Sequence, residues 1–290
     1  MPFAHNRPAT ESDLPACIDL FLAAVADMFA RHHIAQPLPP RAGVELIWPH
    51  ILKTGIFHVA ERDGRMVGIC HALVRDRLWF LSGFWVRPEL VGGGVGGPLL
   101  SDVWQAGARA GAETFFVWSS PDETALASYL KMGMLPGYPV LTFTGETACD
   151  AHAAYETAPL TLAVACDVDE EVRATRREVD HRFLLALPRV TARQVIRAGR
   201  AVGYFYVNGE TVGPCAWLAP EHAEGVLAHA CRAATESAGA ITLRVPGINH
   251  DAIRFALTRG LLFTGAHAHL LTTAPFGRLE CYLPSGPSLY

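Results

Sequence analysis

The run Gly92-Gly93-Gly94-Val95-Gly96-Gly97 has the composition and spacing of a phosphate-binding loop. An apolar segment at 78–86 precedes it, and helical periodicity follows at 98–110. Glycines leave main-chain N–H groups uncovered where a helix begins, and the positive end of the helix dipole lies at the same place. The pattern predicts a loop that binds the phosphates of a ligand through its backbone.

Two other phosphate-binding patterns compete for this loop. Gly92, Gly94 and Gly97 fit the G-x-G-x-x-G spacing of dinucleotide-binding folds. In those folds the glycines follow the first parallel strand, whereas here the hairpin dipeptide at 63–64 comes first. No Gly-Lys-Ser or Gly-Lys-Thr closes the loop, which excludes a P-loop. A dinucleotide-binding oxidoreductase, with Asp122 as the ribose partner, remains the less favoured alternative.

Two segments resemble motifs of the GNAT superfamily of N-acetyltransferases. Motif A is a strand ending in Val-x-Pro, then Gln/Arg-x-x-Gly-x-Gly/Ala and a helix. It is matched by Val86-Arg87-Pro88 and by Val91-Gly92-Gly93-Gly94-Val95-Gly96, where Val91 replaces the Gln or Arg. Motif B is matched by Asp122-x-x-Ala125-x-x-x-Tyr129-x-Lys131-x-Gly133-Met134, where Asp122 replaces Asn and Met134 replaces Phe.

The resemblance implies acetyl-CoA as co-substrate and the transfer of its acetyl group to a primary amine in a ternary complex. By resemblance, pantetheine enters between strands 78–86 and 115–118, where the N–H of Val86 polarises the thioester carbonyl. Tyr129 lies beside the sulfur, as general acid or as hydrogen-bond donor to the leaving thiolate. Asp122 begins the helix that carries Tyr129, and its residue type is typical of an N-cap. The residues implied to bind the co-substrate are Phe84, Trp85, Val86, Val91, Gly92, Gly93, Gly94, Val95, Gly96, Gly97, Asp122 and Tyr129.

The base that accepts the proton of the amine stays open. His71 and Glu61 lie on predicted central strands and are candidates, and a water relay is the alternative. His267 and His269 share one strand face but lack a third ligand at useful spacing, so we expect no metal site.

The elements around these residues follow from periodicity and turn residues. We predict a helix after Thr10, a short helix at 43–52 interrupted by Pro49, and a hairpin turn at 63–64. The predicted strands are 57–61, 66–74, 78–86, 115–118 and 140–144, and the later helices are 98–110 and 122–132.

The second half of the sequence repeats the first. The segment 64–68 matches 199–203, and Asp122-x-x-Ala125 matches Asn249-x-x-Ala252. The second copy has no glycine loop after Pro220, and Ala256 stands where Tyr129 stands in the first. We therefore expect an α/β protein of two tandem GNAT-like domains, each a mostly antiparallel twisted mixed sheet with helices on both faces. Domain 1–147 is expected to be catalytic and domain 158–290 degenerate, with the boundary at 145–159.

Composition limits the class of protein. The 290 residues carry a formal net charge of −4 without a Lys/Arg cluster, which argues against nucleic acid as a partner. No apolar run approaches the ~18 residues of a membrane helix, and no signal sequence precedes the first helix, so a cytoplasmic protein is expected. Seven scattered cysteines fit reduced, buried thiols.

The expected acceptor is a small-molecule amine or a peptide N-terminus, and the expected state is a monomer or homodimer. A CoA-binding regulatory module without turnover is the alternative from another class of protein.

Overall fold

The structure, a computed structural model, describes residues 4–290, without the side chain of His267. The chain forms two compact units. The first consists of the residues up to Pro136 together with Leu271–Ala274, and the second of Gly137–Leu270 and Pro275–Tyr290. All seven cysteines are buried free thiols, as predicted.

The first unit is a mixed sheet with four helices. Its strands, in spatial order, are β1 (His5–Pro8), β2 (Ile56–Arg62), β3 (Arg65–Arg75), β4 (Leu78–Val86) and β5 (Thr114–Ser119). All neighbours are antiparallel except β4 and β5, which are parallel. The helices are α1 (Leu14–Arg31), α2 (Arg41–Thr54), α3 (Gly96–Arg109) and α4 (Glu123–Lys131).

The second unit repeats this plan. Its strands are β6 (Leu135–Gly145), which enters the unit at Gly137, β7 (Glu156–Pro159), β8 (Val190–Arg197), β9 (Arg200–Asn208), β10 (Thr211–Trp217), β11 (Ile241–Pro246), β12 (Leu262–Thr272), which leaves it after Leu270, and β13 (Tyr282–Leu283). The spatial order is β12-β6-β11-β10-β9-β8-β7, and β13 pairs with β10. The helices are α5 (Leu162–Arg173), α6 (Glu178–Leu185), α7 (Ala223–Ala238) and α8 (His250–Thr258). The predicted mixed α/β fold is confirmed.

The internal repeat is confirmed in the backbone. The hairpin glycines Gly64 and Gly199 have φ of +72° and +75°, and Gly133 and Gly260, which end the motif B helices, have φ of +87° and +77°. Because L side chains rarely adopt this conformation, both halves retain glycine for the same geometric reason. After the 3-10 turn Pro220–His222, however, α7 begins at Ala223 without an intervening loop.

Each unit contains a short strand segment from the other half of the sequence. Thr273 donates its main-chain N–H to the carbonyl of Phe115 at 2.9 Å, so Leu271–Ala274 extends the first unit beside β5. In turn, β6 follows α4 in the chain but pairs antiparallel with β11 in the second unit, at Phe143 opposite Leu243. The compact units therefore differ from a simple division of the sequence, and the domains 1–147 and 158–290 stay a prediction.

The predicted interruption at Pro49 is wrong. Helix α2 runs without a break through this residue. Proline removes one main-chain donor from a helix, but Trp48 and Ile51 beside it are buried at 2% and 0% exposure, and their packing holds the helix. Among the described residues, no helix is both long and apolar enough to cross a membrane.

Candidate active site

The strands β4 and β5 diverge partway along their length. They pair in parallel from Leu78 opposite Thr114 to Leu81 opposite Val117, and the pairing ends there. Strand β4 continues to Val86 and pairs only with β3, for example at Phe84 opposite Cys70. Among the described residues, the main chain of β4 from Gly83 to Val86 therefore has one edge without a strand neighbour. An extended ligand can pair with such an edge as an additional strand.

A β-bulge lies where the strands begin to separate. Ala72 is opposite Leu81 and His71 is opposite Gly83, so Ser82 is the additional residue on β4. A bulge bends its strand and increases the local twist. The bulge thus coincides with the point where β4 and β5 cease to pair.

The predicted glycine loop lies at the N-terminus of α3. Gly92 and Gly94 have φ of +78° and +81°, and the N–H of Gly93 is bonded to the carbonyl of Leu90 at 2.9 Å. The helix begins at Gly96, earlier than the predicted 98–110. First-turn amides of a helix have no intrahelical acceptor, so the exposed loop and the helix N-terminus form an anion-binding backbone.

Position 96 requires glycine for a steric reason. A Cβ at Gly96 would lie 2.8 Å from Cζ of Phe84, so the Phe84 ring packs directly against the helix backbone. Val95, the one apolar side chain within the loop, is buried at 2% exposure and anchors it to the core. Val91 is exposed at 42%, and its side chain offers no polar group to a ligand. Main-chain groups must therefore supply the anion contacts of this loop.

Tyr129 lies on α4, with its ring centroid 6.2 Å from that of Phe84. The residue is 5% exposed, and burial raises the pKa of its hydroxyl well above the ordinary value. The hydroxyl is therefore protonated throughout the physiological range and is able to donate a hydrogen bond. The structure thus brings together the glycine loop, the open edge of β4 and Tyr129.

Asp122 is the N-cap of α4, as predicted, since its Oδ1 accepts from the N–H of Ala125 at 3.0 Å. Its Oδ2 pairs with Arg31 at 2.9 Å and lies 3.6 Å from Nε2 of His32, at the end of α1. Burial acts to raise the pKa of this carboxyl, but the Ala125 hydrogen bond and the Arg31 pair together hold it below its ordinary value. The carboxylate is engaged by the protein itself, and sequence patterns gave no indication of this long-range pair.

His71 is a buried imidazole among aromatic rings. It is 1% exposed and its ring centroid lies 4.6 Å from that of Phe57 and 5.0 Å from that of Trp48. Burial lowers its pKa to about 3, and neither ring nitrogen has a hydrogen-bond partner among the described residues. A Cβ on Gly83 would lie 2.4 Å from its Nε2, so the ring covers β4 at the bulge. This geometry is typical of a packing residue.

Glu61 lies at the hairpin end of β2, opposite Met66. Its Oε1 pairs with Arg7 at 2.6 Å, and the same guanidinium binds Asp13 at 2.8 Å. The carboxylate therefore takes part in an ion-pair network with the start of the chain.

An aromatic cluster on the α1 and α2 side of β4 was not identified from the sequence. The Phe21 ring lies 5.3 Å from both Trp48 and Trp85, measured between centroids. Trp85 is half-buried and belongs to the unpaired part of β4. Helical spacing indicated only that Phe21 is apolar and inward. The cluster lines one side of the strand that a ligand would join.

The geometry contains no group of metal ligands: within residues 4–290, with the His267 side chain excepted, no three His, Cys, Asp or Glu side chains converge. An anion-binding loop, an open strand edge and a protonated tyrosine remain. Together they can bind an extended phosphorylated molecule and protonate a leaving group beside it.

Comparison with known proteins agrees with this class of site. Residues 22–134 match the family model described as the acetyltransferase (GNAT) family. Over this segment the chain is similar to the GNAT acetyltransferases, and the match indicates a GNAT-type acyltransferase with acetyl-CoA as co-substrate. No curated protein matches the sequence.

Solved structures share the fold along the whole chain. A candidate acetyltransferase from Pyrococcus horikoshii has a TM-score of 0.79 at 14% identity and covers 100% of this chain and 97% of its own. A tandem GNAT protein from the clavulanic acid biosynthesis pathway has a TM-score of 0.62 at 14% identity, with coverage of 94% and 99%. A GCN5-related N-acetyltransferase from Sphaerobacter thermophilus has a TM-score of 0.65 at 14% identity, with coverage of 96% and 98%. At 14% identity these matches show a shared fold alone.

Proposed function

We propose that the first unit is an N-acetyltransferase that transfers the acetyl group of acetyl-CoA to a primary amine in a ternary complex. The observation that carries this proposal is the divergence of β4 from β5 after Leu81, next to the glycine loop and Tyr129. Only an extended ligand with a phosphate group uses both the strand edge and the loop.

In this proposal the ligand lies along β4. Main-chain groups of Phe84, Trp85 and Val86 pair with the pantetheine amides, and the N–H of Val86 donates to the thioester oxygen. Amides of the loop from Gly92 to Gly97 bind the pyrophosphate. Donation to the oxygen stabilises the negative charge that develops there during attack.

The transfer makes one bond and breaks another. The nitrogen of a neutral amine attacks the acetyl carbon, a C–N bond forms, and the C–S bond breaks. The Tyr129 hydroxyl protonates the leaving thiolate, and the excess proton of the amine passes to water, which returns a proton to the Tyr129 oxygen. Because His71 is buried and Glu61 is ion-paired, we favour a water relay over either residue as base.

Turnover tests this proposal. The purified protein, incubated with acetyl-CoA and a panel of primary amines, is expected to release free CoA thiol and acetylated amine. Gly94→Glu should abolish release, because it places a carboxylate in the anion site on a backbone of φ +81°. Gly111→Glu is the matched control, since Gly111 has φ of +92° at the end of α3 and open space around it. Activity retained in Gly94→Glu would contradict the proposal.

A second candidate is a CoA-binding module without turnover. The observation in its favour is the engagement of both candidate bases elsewhere, His71 among aromatic rings and Glu61 with Arg7. It predicts tight acetyl-CoA binding with no thiol release for any amine.

The acceptor we propose is a small-molecule amine or a peptide N-terminus. The half-buried Trp85, in contact with Phe21, offers an aromatic surface next to the unpaired edge of β4. A cationic amine gains from contact with an aromatic face before it loses its proton.

A further inference from the structure

The second unit contains the same diverging strand pair, but there a segment of the chain itself lies in the opening. Strand β10 pairs in parallel with β11 only at its first two residues. Further along, β10 pairs antiparallel with β13, with Cys215 opposite Leu283 and Ala216 opposite Tyr282. A strand edge that would otherwise be unpaired is thereby filled.

The position of β13 corresponds to the ligand position proposed for the first unit. In the strand register Trp217 pairs with Gly203 as Val86 pairs with Gly68, so Cys215 and Ala216 correspond to Phe84 and Trp85. These are residues of β4 after its divergence from β5. The segment therefore lies where an extended ligand would pair with the strand.

Asn249 holds this segment in a way that Asp122, its counterpart, does not. Its Oδ1 caps α8 by accepting from the N–H of Ala252 at 3.0 Å, and its Nδ2 donates to the carbonyl of Tyr282 at 3.2 Å. A carboxylate has no such donor, and the Asp122 carboxylate pairs with Arg31 instead. The second unit, with Asn249, therefore has a donor for the segment in its strand opening, and the first unit, with Asp122, has none at this position.

Further main-chain contacts follow the segment past β13. Nη1 of Arg244, on β11, donates to the carbonyl of Ser285 at 2.9 Å. A Cβ on Gly213 would lie 2.5 Å from the carbonyl oxygen of Pro284, so glycine is required for this close approach. Nη1 of Arg177 donates to the carbonyl of Tyr290 at 2.8 Å. Backbone groups of the segment are therefore recognised along its length.

Two tyrosine rings of the segment cover a buried charged pocket. The guanidinium of Arg173, 1% exposed, lies 4.7 Å from the Tyr282 ring centroid and 5.5 Å from that of Tyr290. Its Nε and Nη1 have no hydrogen-bond partner among the described residues. Asp169, at 0% exposure, pairs with Arg177 at 2.6 Å and lies 3.8 Å from Nη1 of Arg173. Buried charges are costly in a core, and the aromatic faces over Arg173 offset part of that cost.

We propose that the C-terminal half is an extended-peptide binding slot whose ligand is the chain's own segment Tyr282–Tyr290. Strand addition to β10 supplies the main-chain part of the recognition, and the pocket around Arg173 selects the aromatic side chains. The bound segment closes this half to an acyl-CoA, in addition to the missing glycine loop. The inference does not depend on the activity of the first unit.

Complementation with a peptide tests the slot. A chain shortened by Tyr282–Tyr290 is expected to bind a fluorescein-labelled peptide of residues 279–290, one per chain, as measured by fluorescence anisotropy. The intact chain should not bind it, since its slot is filled. Leu283→Asp in the peptide should weaken binding about tenfold or more, because a buried leucine contact is lost. Pro287→Ser, at an exposed position, is the control and should bind equally.

Equal binding of the peptide to the intact and shortened chains would overturn the proposal. Binding of the Leu283→Asp peptide to the shortened chain as tightly as the unaltered peptide would also overturn it. Acetyl-CoA binding by the shortened chain reports separately on the first unit.

A measurement on the intact chain covers the case in which the shortened chain does not fold. Asn249→Asp keeps the helix cap but removes the donor to Tyr282. We expect faster hydrogen exchange confined to 282–290 and 213–217, with β9 unchanged. Unchanged exchange at 282–290, or a uniform increase across the second unit, would overturn the proposal.

Discussion

Tyr129 is the side chain whose chemistry the proposed reaction depends on most. Because burial raises the pKa of its hydroxyl, the group carries its proton at any physiological pH. We expect Tyr129→Phe to lower kcat for acetyl transfer by about 100-fold, a typical effect of removing a general acid. Steady-state kinetics with thiol detection measures this effect.

Affinity for acetyl-CoA should stay unchanged in Tyr129→Phe, since the loop and strand contacts remain. Tyr138→Phe, which removes a hydroxyl in the second unit, is the control and should leave kcat unchanged. An unaltered kcat in Tyr129→Phe would favour a water donor and contradict the assigned role.

Asp122 links pH to stability. Its folded-state pKa lies below the ordinary 3.8, so its stabilising contribution is complete above that value and is lost as the pH falls through the folded pKa. Asp122→Asn keeps an N-cap but loses the Arg31 pair, and should lower the free energy of unfolding at pH 7 by about 1 kcal/mol or less. Asp122→Ala loses the cap as well, and about 1 kcal/mol more.

Denaturant unfolding of the wild type and Asp122→Asn across pH tests this linkage. The difference between the two proteins should disappear on acidification below pH 3.8. A difference that persists or grows in acid would show that the carboxylate charge is not the cause.

At the scale of elements, α3 packs closely against β4 at its first residue, Gly96, where only a glycine leaves room for the Phe84 ring. Gly96→Ala brings a Cβ to 2.8 Å from Phe84, whereas a Cβ on Gly97 meets nothing within 4 Å. We expect Gly96→Ala to lower the free energy of unfolding by about 1–3 kcal/mol, as overpacking does. Gly97→Ala should be neutral or slightly stabilising, because alanine favours a helix. Thermal denaturation compares the two variants, and equal stability would contradict the fit.

Sequence reasoning succeeded for elements with local determinants. The hairpin at 63–64, the loop before α3 and the Asp122 cap each depend on residues within a few positions. It failed at Pro49, where burial of neighbouring side chains outweighs the lost hydrogen bond. The placement of Leu271–Ala274 and β13 was also missed, since pairing between segments so distant in sequence leaves no local pattern.

At the scale of the whole molecule, the two halves share one fold but differ at the place where the parallel strand pair diverges. In the first half, one edge of β4 lacks a strand neighbour and a glycine loop precedes α3. In the second half, β13 pairs with the corresponding edge of β10, and α7 begins without a glycine loop. From both differences we predict a single acetyl-CoA per chain.

Calorimetric titration of the intact protein with acetyl-CoA, with NADH as the control ligand, tests this conclusion most directly. We predict one site per chain, no binding of NADH, and loss of the site in Gly94→Glu but not in Gly111→Glu. Two sites per chain, or binding of NADH in place of acetyl-CoA, would contradict it.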